Sequence, residues 1–447
     1  MLVVGAGPAG LAAALAAGRS GARVIVADET AEAGGWLLSD TVSRIDGKTG
    51  AAWAREAVDE LKGMANVRVM TRCTAFNYGP HNMVALNERL TDHLAHPISG
   101  QPRERLWQVR AKEVVLAAGA LERPLVFDGN DRPGVMLATA AQTYLNRYGV
   151  ACGKRAIVVT ADDAAYRVAL DLKSAGVTVA AIADLRPAPN TALAGAAVSA
   201  GITVLPGTTI QRAHGLNRVC SVELAQLLPD GSVGKGHQWR ADLVLMSGGF
   251  TPSVHMFSQS RGKLTFNEEL GVYVPGQSEQ NERSAGACRG VYSLDAVIAD
   301  GARAGAEAAT ASGFAAKAPE WQVSDMDAPG RGGYAGALPR RGAGLRAMAF
   351  VDYQNDVTAK DVKLAVREGF RSIEHIKRYT TTGMATDQGK SSNVNALGIA
   401  SEALGRPVEK VGLTTFRPPF TPVTFGSFAY NAREFLLDTC LLYTSTL

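Results

Sequence analysis

The first 29 residues, Met1–Glu29, read MLVVGAGPAGLAAALAAGRSGARVIVADE and decide the fold of the chain. An apolar run leads into three glycines spaced as GxGxxG, then an alanine-rich segment, then a second apolar run that ends in acid. This order predicts a strand, a tight turn, a helix and a second strand, the unit that binds a dinucleotide in Rossmann-type proteins. GxGxxG alone would be weak evidence, but here every neighbouring part also falls at the required spacing.

The three glycines of the turn have separate physical roles. Gly5 permits the tight turn, Gly7 lets the backbone approach a pyrophosphate, and Gly10 lets the helix pack close to the strand. The helix N-terminus then offers free N–H groups and the positive end of a dipole to the phosphates. The predicted cofactor-binding residues of this turn are Gly5, Ala6, Gly7, Pro8, Ala9 and Gly10.

Two acids, Asp28 and Glu29, follow the second strand, which is expected at Val24–Ala27, and both are predicted to contact the cofactor. Asp28 lies 23 positions after Gly5, where a carboxylate accepts hydrogen bonds from a ribose. An acid at this point favours an unphosphorylated 2′-hydroxyl, so the sequence indicates NAD or FAD rather than NADP. Gly35, in the Gly pair that follows, is expected to pass close to the cofactor.

The bulk composition is that of a globular protein with several domains. With 447 residues the chain is too long for one hydrophobic core, and about two to four domains are expected. Hydrophobic residues make up 46% of the chain and charged residues 20%, and no apolar run is long enough to span a membrane. The net charge of +4 is small and no Lys/Arg run occurs, which argues against a nucleic-acid or acidic membrane partner.

Cysteine usage predicts a reducing, cytoplasmic environment. The chain has five scattered cysteines that never form a CxxC pair: Cys73, Cys152, Cys220, Cys288 and Cys440. The redox dithiol of disulfide reductases is therefore excluded at its usual spacing. Each cysteine is better explained as a small buried hydrophobic residue.

A second strand–helix–strand pattern spans residues 154–186, but its turn is different. Where glycines would stand, the chain has Thr160-Ala161-Asp162-Asp163-Ala164-Ala165. Two carboxylates at a helix N-terminus place negative charge in the position an anion would take. A second pyrophosphate is therefore excluded, and this unit is predicted to be structural.

Three polar stretches have simple explanations from composition. Phe76–Pro102 contains three histidines without ligand spacing, so it is predicted to be a surface insertion rather than a metal site. Ala328–Gly344 is rich in Gly, Ala and Pro and is predicted to be a linker. Thr380–Asn393, which contains two glycines, a lysine and several hydroxyls, is either a phosphate-cradling loop or a solvated connection, and composition favours the connection.

Several long, unusual strings remain after these parts are placed. They are Leu116–Arg123 (LAAGALER), Asn130–Met136 (NDRPGVM), Leu145–Val150 (LNRYGV), the degenerate turn Thr160–Ala165 and Thr414–Gly426 (TTFRPPFTPVTFG). Together they resemble the α subunit of heterotetrameric sarcosine oxidases, and the resemblance runs from Met1 to about Gly426.

The resemblance implies an α/β fold with two Rossmann-like dinucleotide-binding domains of the disulfide-reductase type, followed by a small helical ferredoxin-like domain without cluster ligands. The implied division is 1–124 and 251–318 for the NAD-binding domain, 125–250 for the degenerate second unit, 328–344 for the linker, 345–412 for the small helical domain and 413–447 for the truncated start of a folate-binding domain. The first strand begins at Met1, so the family's N-terminal ferredoxin-like domain is expected to be missing and no signal peptide is expected. From Tyr430 the sequence departs from the family pattern, and its tail is not expected to be native.

A role in an oxidoreductase complex follows from the same resemblance. The family demethylates sarcosine oxidatively to glycine, with peroxide and methylene-tetrahydrofolate as the other products. FAD is held by the β subunit, FMN lies at the α/β interface, tetrahydrofolate binds the C-terminal domain, and the NAD of the α subunit is structural. Small γ and δ subunits complete the complex. The implied chain is a cytoplasmic subunit without a substrate-oxidising residue of its own.

The family's NAD site is carried over residue by residue. Gly5, Gly7, Gly10 and Asp28 match it, and Gly35, Ala118 and Gly119 are expected to line it. Related flavoprotein reductases place a Gly-Asp pair where this chain has Gly286-Ala287. The missing carboxylate favours NAD over FAD.

The small helical domain of the resemblance holds a two-iron two-sulfur cluster on four cysteines. The corresponding positions here are Asp352, Gln354, Asp387 and Ser392, and without a thiolate no cluster is expected. In the family this region faces the FMN, which implies FMN contacts from Gly383, Thr386, Asp387, Gln388 and Lys390. The lysine would serve the phosphate as a point charge.

Three other interpretations stay open at this point. The α subunit of a related flavin-dependent amine or opine dehydrogenase would keep cysteines in the small domain. A stand-alone FAD- and NAD(P)-dependent oxidoreductase would need a second GxGxxG, a CxxC and the Gly-Asp pair, and the chain has none of these. A nucleotide-binding structural protein would have no flavin-bearing partner, so co-purification would separate it from the others.

Overall fold

The chain folds as an α/β protein built on two parallel sheets, and the predicted fold class is confirmed. The structure is a computed structural model that describes residues 1–96, 98–189, 191–324, 333–342 and 348–429. Each sheet has five strands and lies against helices. A small helical domain packs against the segment that joins the two sheets.

The first sheet is parallel throughout and carries the glycine-rich turn at its centre. Its strands, in spatial order, are Glu282–Ser284, Val114–Leu116, Leu2–Val4, Val24–Ala27 and Val67–Met70. Both faces are covered, so the central strands are continuous apolar runs. Val3 packs under the helices Pro8–Arg19 and Leu294–Ala311, whereas Leu2 and Val4 face an antiparallel sheet.

Glycines allow the two helices above the first sheet to touch. A Cβ at Gly301 would lie 2.1 Å from the Ala9 carbonyl oxygen, and a Cβ at Gly305 would lie 2.2 Å from that of Ala13. These distances are shorter than any van der Waals contact, so only glycine fits at either position. The close packing fixes the helix Pro8–Arg19, whose N-terminus borders the turn.

The other face of the first sheet is covered by three antiparallel strands, Cys73–Gly79, Met83–Arg89 and Glu104–Arg110. The prediction of a surface insertion over Phe76–Pro102 is therefore wrong for its first half. Buried Tyr78, Val84 and Leu86 point to the sheet at alternating positions. His81 lies in the tight turn between the first two strands, and its backbone N–H donates to the Gln280 side-chain oxygen.

Two short antiparallel strands, Ala120–Glu122 and Phe250–Pro252, connect the first sheet to the second. The second sheet has the spatial order Val135–Leu137, Leu243–Ser247, Arg155–Thr160, Thr178–Asp184 and Thr203–Leu205. Its helices are Ala138–Tyr148, Ala164–Ser174 and Thr191–Ser199. A three-stranded antiparallel sheet, Thr208–His214, Ser221–Gln226 and His237–Arg240, covers its other face.

The remaining elements of the body are short. They are the helices Gly50–Gly63 and His255–Gln259, the 3-10 turns Gly35–Leu38 and Gly286–Arg289, the hairpin Lys263–Asn267 with Val272–Gln277, and the small strands Arg44–Ile45, Lys48–Thr49 and Val323–Ser324. Helix Gly50–Gly63 is capped at its N-terminus by the Thr49 hydroxyl, which accepts the Ala52 N–H.

The small helical domain begins with the strand pair Phe350–Asp352 and Val357–Thr358. Its helices are Ala359–Arg367, Ile373–Thr380, Asn393–Leu404 and Val408–Val411. A capping box between Thr358 and Asp361 starts the first helix. The domain's core includes Val126 of the body, and Asn395 donates a hydrogen bond to the Pro124 carbonyl at 2.8 Å. The domain is thus docked on the joining segment.

The predicted linker 328–344 is described only at residues 333–342, and there it is packed rather than solvated. Leu338 is buried and donates its N–H to the Val126 carbonyl at 2.8 Å. The chain after the small domain, residues 412–429, is called here the C-terminal segment; it ends in the helix Phe425–Ala429. The tail from Tyr430 lies outside the described residues. No helix in the described part of the chain is long and apolar enough to cross a bilayer.

Substituting Gly301 by alanine tests the helix contact. We expect Gly301→Ala to lower the free energy of unfolding by about 1–3 kcal/mol, because the new methyl group overlaps the Ala9 carbonyl. Urea unfolding followed by circular dichroism measures this. Gly63→Ala is the control, since a Cβ at Gly63 meets nothing within 4 Å. Equal stability of the two variants would contradict the packing described.

Candidate functional site

A cavity of about 440 Å³ opens at the carboxyl ends of the first sheet's strands. It lies beside the central strand Leu2–Val4. After this strand the chain forms Val24–Ala27 on one side of it, and later it returns to form Val114–Leu116 on the other side. Such a reversal of strand order is where open α/β sheets bind ligands. We call this space the dinucleotide cavity.

The glycine-rich turn forms the floor of the dinucleotide cavity. Gly5 has a φ of +95°, and a Cβ there would lie 2.3 Å from the Ala117 carbonyl oxygen. A Cβ at Gly10 would lie 1.9 Å from the Gly5 carbonyl oxygen. A Cβ at Gly7, in contrast, would meet no protein atom within 4 Å, because it would project into the cavity. The geometry thus shows the tight turn at Gly5 and the close helix packing at Gly10, and it leaves open space beside Gly7.

Asp28 lies on the cavity wall and also braces the turn. Its Oδ2 accepts the Ala6 N–H at 2.6 Å, and its Oδ1 accepts the N–H and hydroxyl of Thr30 at 2.8 and 2.5 Å. A carboxylate has about four acceptor positions, so one is left for a ribose hydroxyl. Glu29 lines the same wall. Burial is the main cause that raises the pKa of Glu29, and the nearby Asp28 charge is the second.

The predicted residues of the first site divide into two groups. Those that line the dinucleotide cavity are Gly5, Gly7, Pro8, Ala9, Asp28, Glu29, Gly35, Ala118, Gly119 and Ala287. Three others, Ala6, Gly10 and Gly286, lie behind them and position them. Gly35 passes so close that a Cβ would lie 3.1 Å from the Gly7 Cα.

At Gly286-Ala287, the site carries a methyl group where a flavoprotein's carboxylate would be expected. Ala287 lines the cavity, and the Gly286 N–H donates to Asp300 Oδ2 at 2.9 Å. Asp300 also binds Arg289 at 2.6 Å and Arg303. This carboxylate is buried behind the 3-10 turn, where it accepts hydrogen bonds from these three partners.

The small helical domain and the C-terminal segment also reach the dinucleotide cavity, which was not expected from the sequence. Lys390 and Thr421 line it, as does His255 of the body. Lys390 Nζ donates to the Phe420 carbonyl at 2.6 Å and lies 4.1 Å from the centre of the Phe420 ring. The His255 ring stacks on the Phe420 ring, with ring centres 4.5 Å apart. Burial and the Lys390 charge lower the pKa of His255 to about 3, so its imidazole is neutral at physiological pH.

Four residues expected at FMN, Gly383, Thr386, Asp387 and Gln388, lie outside the cavity lining. The amides of their loop already have partners within the chain. Gly383 N–H donates to Asp352 at 2.7 Å, Asp387 N–H to Gln354 at 2.9 Å, and Gln388 N–H to the Ala385 carbonyl at 2.9 Å. This arrangement does not favour a phosphate cradle formed by the loop amides.

The four positions that correspond to cluster cysteines converge on a hydrogen-bond network. Asp352 and Ser392 are 1% and 0% exposed, and their side chains are 3.5 Å apart. Asp352 Oδ1 accepts the N–H groups of Gln354 and Asn355, both at 2.9 Å. Asp387 accepts from the Ser391 hydroxyl at 2.8 Å. Carboxylate and amide oxygens thus bind backbone N–H groups where thiolates would bind iron.

The degenerate turn of the second sheet is filled by its own side chains. Asp162 Oδ1 accepts the Ala164 N–H at 2.8 Å, at the start of the helix. Arg186 pairs with Asp163 at 2.7 Å and with Asp184 at 2.8 Å. These groups occupy the helix N-terminus with carboxylates and a paired guanidinium, which supports the expectation that this unit binds no pyrophosphate.

A buried acid, Glu122, lies beneath the cavity in one of the two connecting strands. It is 8% exposed, and its Oε2 accepts the N–H and hydroxyl of Thr139 at 2.9 and 2.5 Å. Burial raises its pKa to about 7. Thr139 lines the cavity, so Glu122 ties the start of the helix Ala138–Tyr148 to the connecting strands.

The two sheets, the glycine turn and the cavity define a two-Rossmann nucleotide-binding protein of the oxidoreductase type. Residues 1–313 match the family model "Pyridine nucleotide-disulphide oxidoreductase", and the chain belongs to this family. Membership implies a nucleotide or flavin cofactor. Residues 346–432 match the "Sarcosine oxidase A3 domain".

Relatives among characterised proteins confirm the resemblance seen in the sequence. The chain is 44% identical to sarcosine oxidase subunit alpha of Rhizobium meliloti (strain 1021), over 96% of this chain and 42% of that protein. It is 41% identical to sarcosine oxidase subunit alpha of Corynebacterium sp. (strain P-1), over 98% of this chain and 46% of that protein. The chain spans less than half the length of these relatives. As subunits, they belong to multisubunit complexes.

Among solved structures, L-proline dehydrogenase from P. horikoshii superposes with a TM-score of 0.73 at 21% identity. The match covers 96% of this chain and 78% of that one. At this identity the likeness supports the fold alone. It covers both sheets and the small helical domain, so their combination also occurs in another oxidoreductase.

The space beside Gly7 supplies the first test of the site. We expect Gly7→Val to leave the unfolding temperature of the ligand-free chain unchanged, because the side chain projects into the open cavity. Affinity for NAD or FAD should fall about 10-fold or more, since the valine takes the space that a phosphate needs. Calorimetric titration with each nucleotide measures this. Unaltered affinity would place the ligand elsewhere.

The raised pKa of Glu122 predicts a pH-dependent stability. The native carboxyl keeps its proton up to a pH of about 7, whereas the unfolded one loses it near 4.5. The contribution of Glu122 to the free energy of unfolding is therefore fully present below pH 4.5 and is lost as the pH rises towards 7. Glu122→Gln should remove this loss and exceed the wild type by up to about 3 kcal/mol at pH 8. Urea unfolding at pH 5 and pH 8 measures the difference; Glu56→Gln, an exposed acid, should show none.

Proposed function

We propose that this chain is the dinucleotide-carrying part of the α subunit of a sarcosine oxidase complex. The observation that carries the proposal is the open cavity beside Gly7 and Asp28, in a chain 41–44% identical to sarcosine oxidase α subunits. The complex would demethylate sarcosine oxidatively to glycine, with peroxide and methylene-tetrahydrofolate as the other products.

The nucleotide in this proposal is NAD rather than FAD. Ala287 puts a methyl group on the cavity wall, and the nearest acid behind it, Asp300, is engaged with Gly286, Arg289 and Arg303. No carboxylate is therefore offered to a flavin side chain at this point. Asp28 retains an acceptor position for the ribose of NAD.

This chain's own residues bind and orient the nucleotide and do not oxidise the substrate. The turn at Gly5–Gly10 holds the pyrophosphate at the helix N-terminus, and Asp28 holds the ribose. The bound NAD is structural, so no hydride is transferred in this cavity. We assign no catalytic residue to the chain.

The redox chemistry belongs to partners. In the proposal a β subunit carries FAD and the substrate-oxidising site, and FMN lies at the α/β interface. Small γ and δ subunits complete a cytoplasmic complex, and tetrahydrofolate binds a C-terminal folate-binding domain, of which residues 413–447 would be the truncated start. The loop Gly383–Gln388 would face the FMN through its side chains, since its amides are already bonded.

The nucleotide released from the denatured chain, purified alone, tests the assignment. Mass spectrometry should find about one NAD per chain and no flavin, because the chain has one glycine-rich dinucleotide turn. Gly7→Val purified in parallel should carry less. Addition of the β subunit should then allow FMN to be captured. Stoichiometric FAD in the chain alone would overturn the Gly286-Ala287 argument and indicate a flavin-carrying dehydrogenase subunit.

A further inference from the structure

We propose that Lys390 of the small helical domain binds a phosphate of the dinucleotide, so that the site is shared between the Rossmann body and the C-terminal part of the chain. This inference rests on the proposed function. The glycine turn and Asp28 form one half of the site. Lys390, fixed by Phe420 and His255, forms the other.

The surroundings of the Lys390 ammonium indicate an anionic ligand. Its hydrogen-bond acceptors within the described residues are two neutral carbonyls, of Phe420 at 2.6 Å and Asp387 at 3.4 Å. No carboxylate lies within 4 Å of it in that part of the chain. An ammonium has three donors, so one is left to face the cavity. A half-buried cation without an ion pair is costly unless an anion reaches it.

The position of Lys390 along the cavity indicates which part of the ligand it meets. Lys390 and Glu29 line the same cavity, and Glu29 directly follows the ribose-binding Asp28 in the chain. The cavity lining there also includes Thr30, Cys73 and Ala75. This is the adenosine end of a dinucleotide on a Rossmann sheet. The anion in reach is the phosphate next to the adenosine ribose.

The contacts of Phe420 explain how a lysine from another domain is held in place. Phe420 is buried, and its ring contacts both the Lys390 ammonium, at 4.1 Å, and the His255 imidazole, at 4.5 Å. Its edge also meets Phe416, with ring centres 5.2 Å apart. The C-terminal segment thus packs beside the cavity through Phe420, and Thr421 forms part of the cavity lining.

A site shared between two parts of the chain links ligand binding to the docking of those parts. A ligand that touches both the glycine turn and Lys390 stabilises the docking of the small helical domain and the C-terminal segment on the body. Occupancy and docking are then linked, because a ligand that binds only the docked arrangement favours it by mass action.

The test compares the affinity of four probes, NAD, NADP, ADP-ribose and adenosine, for the full chain and its variants. By calorimetry, we expect Lys390→Met to weaken binding of NAD and of ADP-ribose about 10-fold or more, and that of adenosine, which has no phosphate, less than 3-fold. Lys390→Arg should retain most of the affinity because it keeps the charge. Lys363→Met is the matched control: it removes an exposed lysine of the same domain that pairs with Glu402.

The outcomes separate this inference from the proposed function. NAD binding that is equal in Lys390→Met and the wild type would overturn the inference alone. A loss confined to NADP would assign the lysine to a 2′-phosphate and overturn it as well. A wild-type chain that binds no dinucleotide would overturn the proposed function and this inference with it.

Hydrogen exchange supplies a second readout that does not depend on affinity. NAD should slow amide exchange in residues 412–424 of the wild type and of Lys363→Met, and should do so much less in Lys390→Met. The unfolding temperature of each ligand-free variant shows whether it is folded. Equal slowing in all three proteins would contradict the proposed link between occupancy and docking.

Discussion

The close approach of the helix Pro8–Arg19 to the strand that precedes it is the contact on which the rest of the structure depends. At Gly10 the helix is so near the Gly5 carbonyl that a Cβ would lie 1.9 Å from the oxygen. Gly301 and Gly305 bring a second helix equally near from above. Three backbones therefore meet without side chains between them, and the helix N-terminus is held rigidly over the end of the sheet. The cavity owes its position to this packing.

Features encoded by adjacent residues could be predicted from the sequence. The tight turn at Gly5, the close packing at Gly10 and the position of Asp28 after its strand depend on short spacings, which a single sequence records. The contributions of His255 and Phe420 could not be predicted, because they are brought to the turn by packing between segments more than 200 positions away in the chain. His255 belongs to no motif, and Phe420 lies in the string Thr414–Gly426, whose residue spacing does not record its contact with the cavity-lining Lys390.

Other differences between prediction and structure have physical causes that the composition concealed. Phe76–Arg89 alternates buried and exposed residues, as at Tyr78, Val84 and Leu86, but polar neighbours and a tight turn interrupt the period. The alternation at Val84 and Leu86 was the signal that could have identified the strand. The Gly-rich stretch at 333–342 has the composition of a spacer, yet Leu338 is buried against Val126. Composition records flexibility of the unfolded chain, not the contacts that a segment makes once folded.

The turn of the second sheet is filled by several charged groups that hold one another in place. Its turn holds Asp162 on the helix N-terminus and Asp163 on Arg186, while Arg186 is also held by Asp184. Removing any one acid leaves the others in place, so no single substitution reopens the turn to a pyrophosphate. Each intermediate would instead leave a charged group in this mostly buried cluster with fewer partners, which is destabilising. The turn of the second sheet is thus kept closed by a group of mutually supporting charges, so that only their combined replacement would open it.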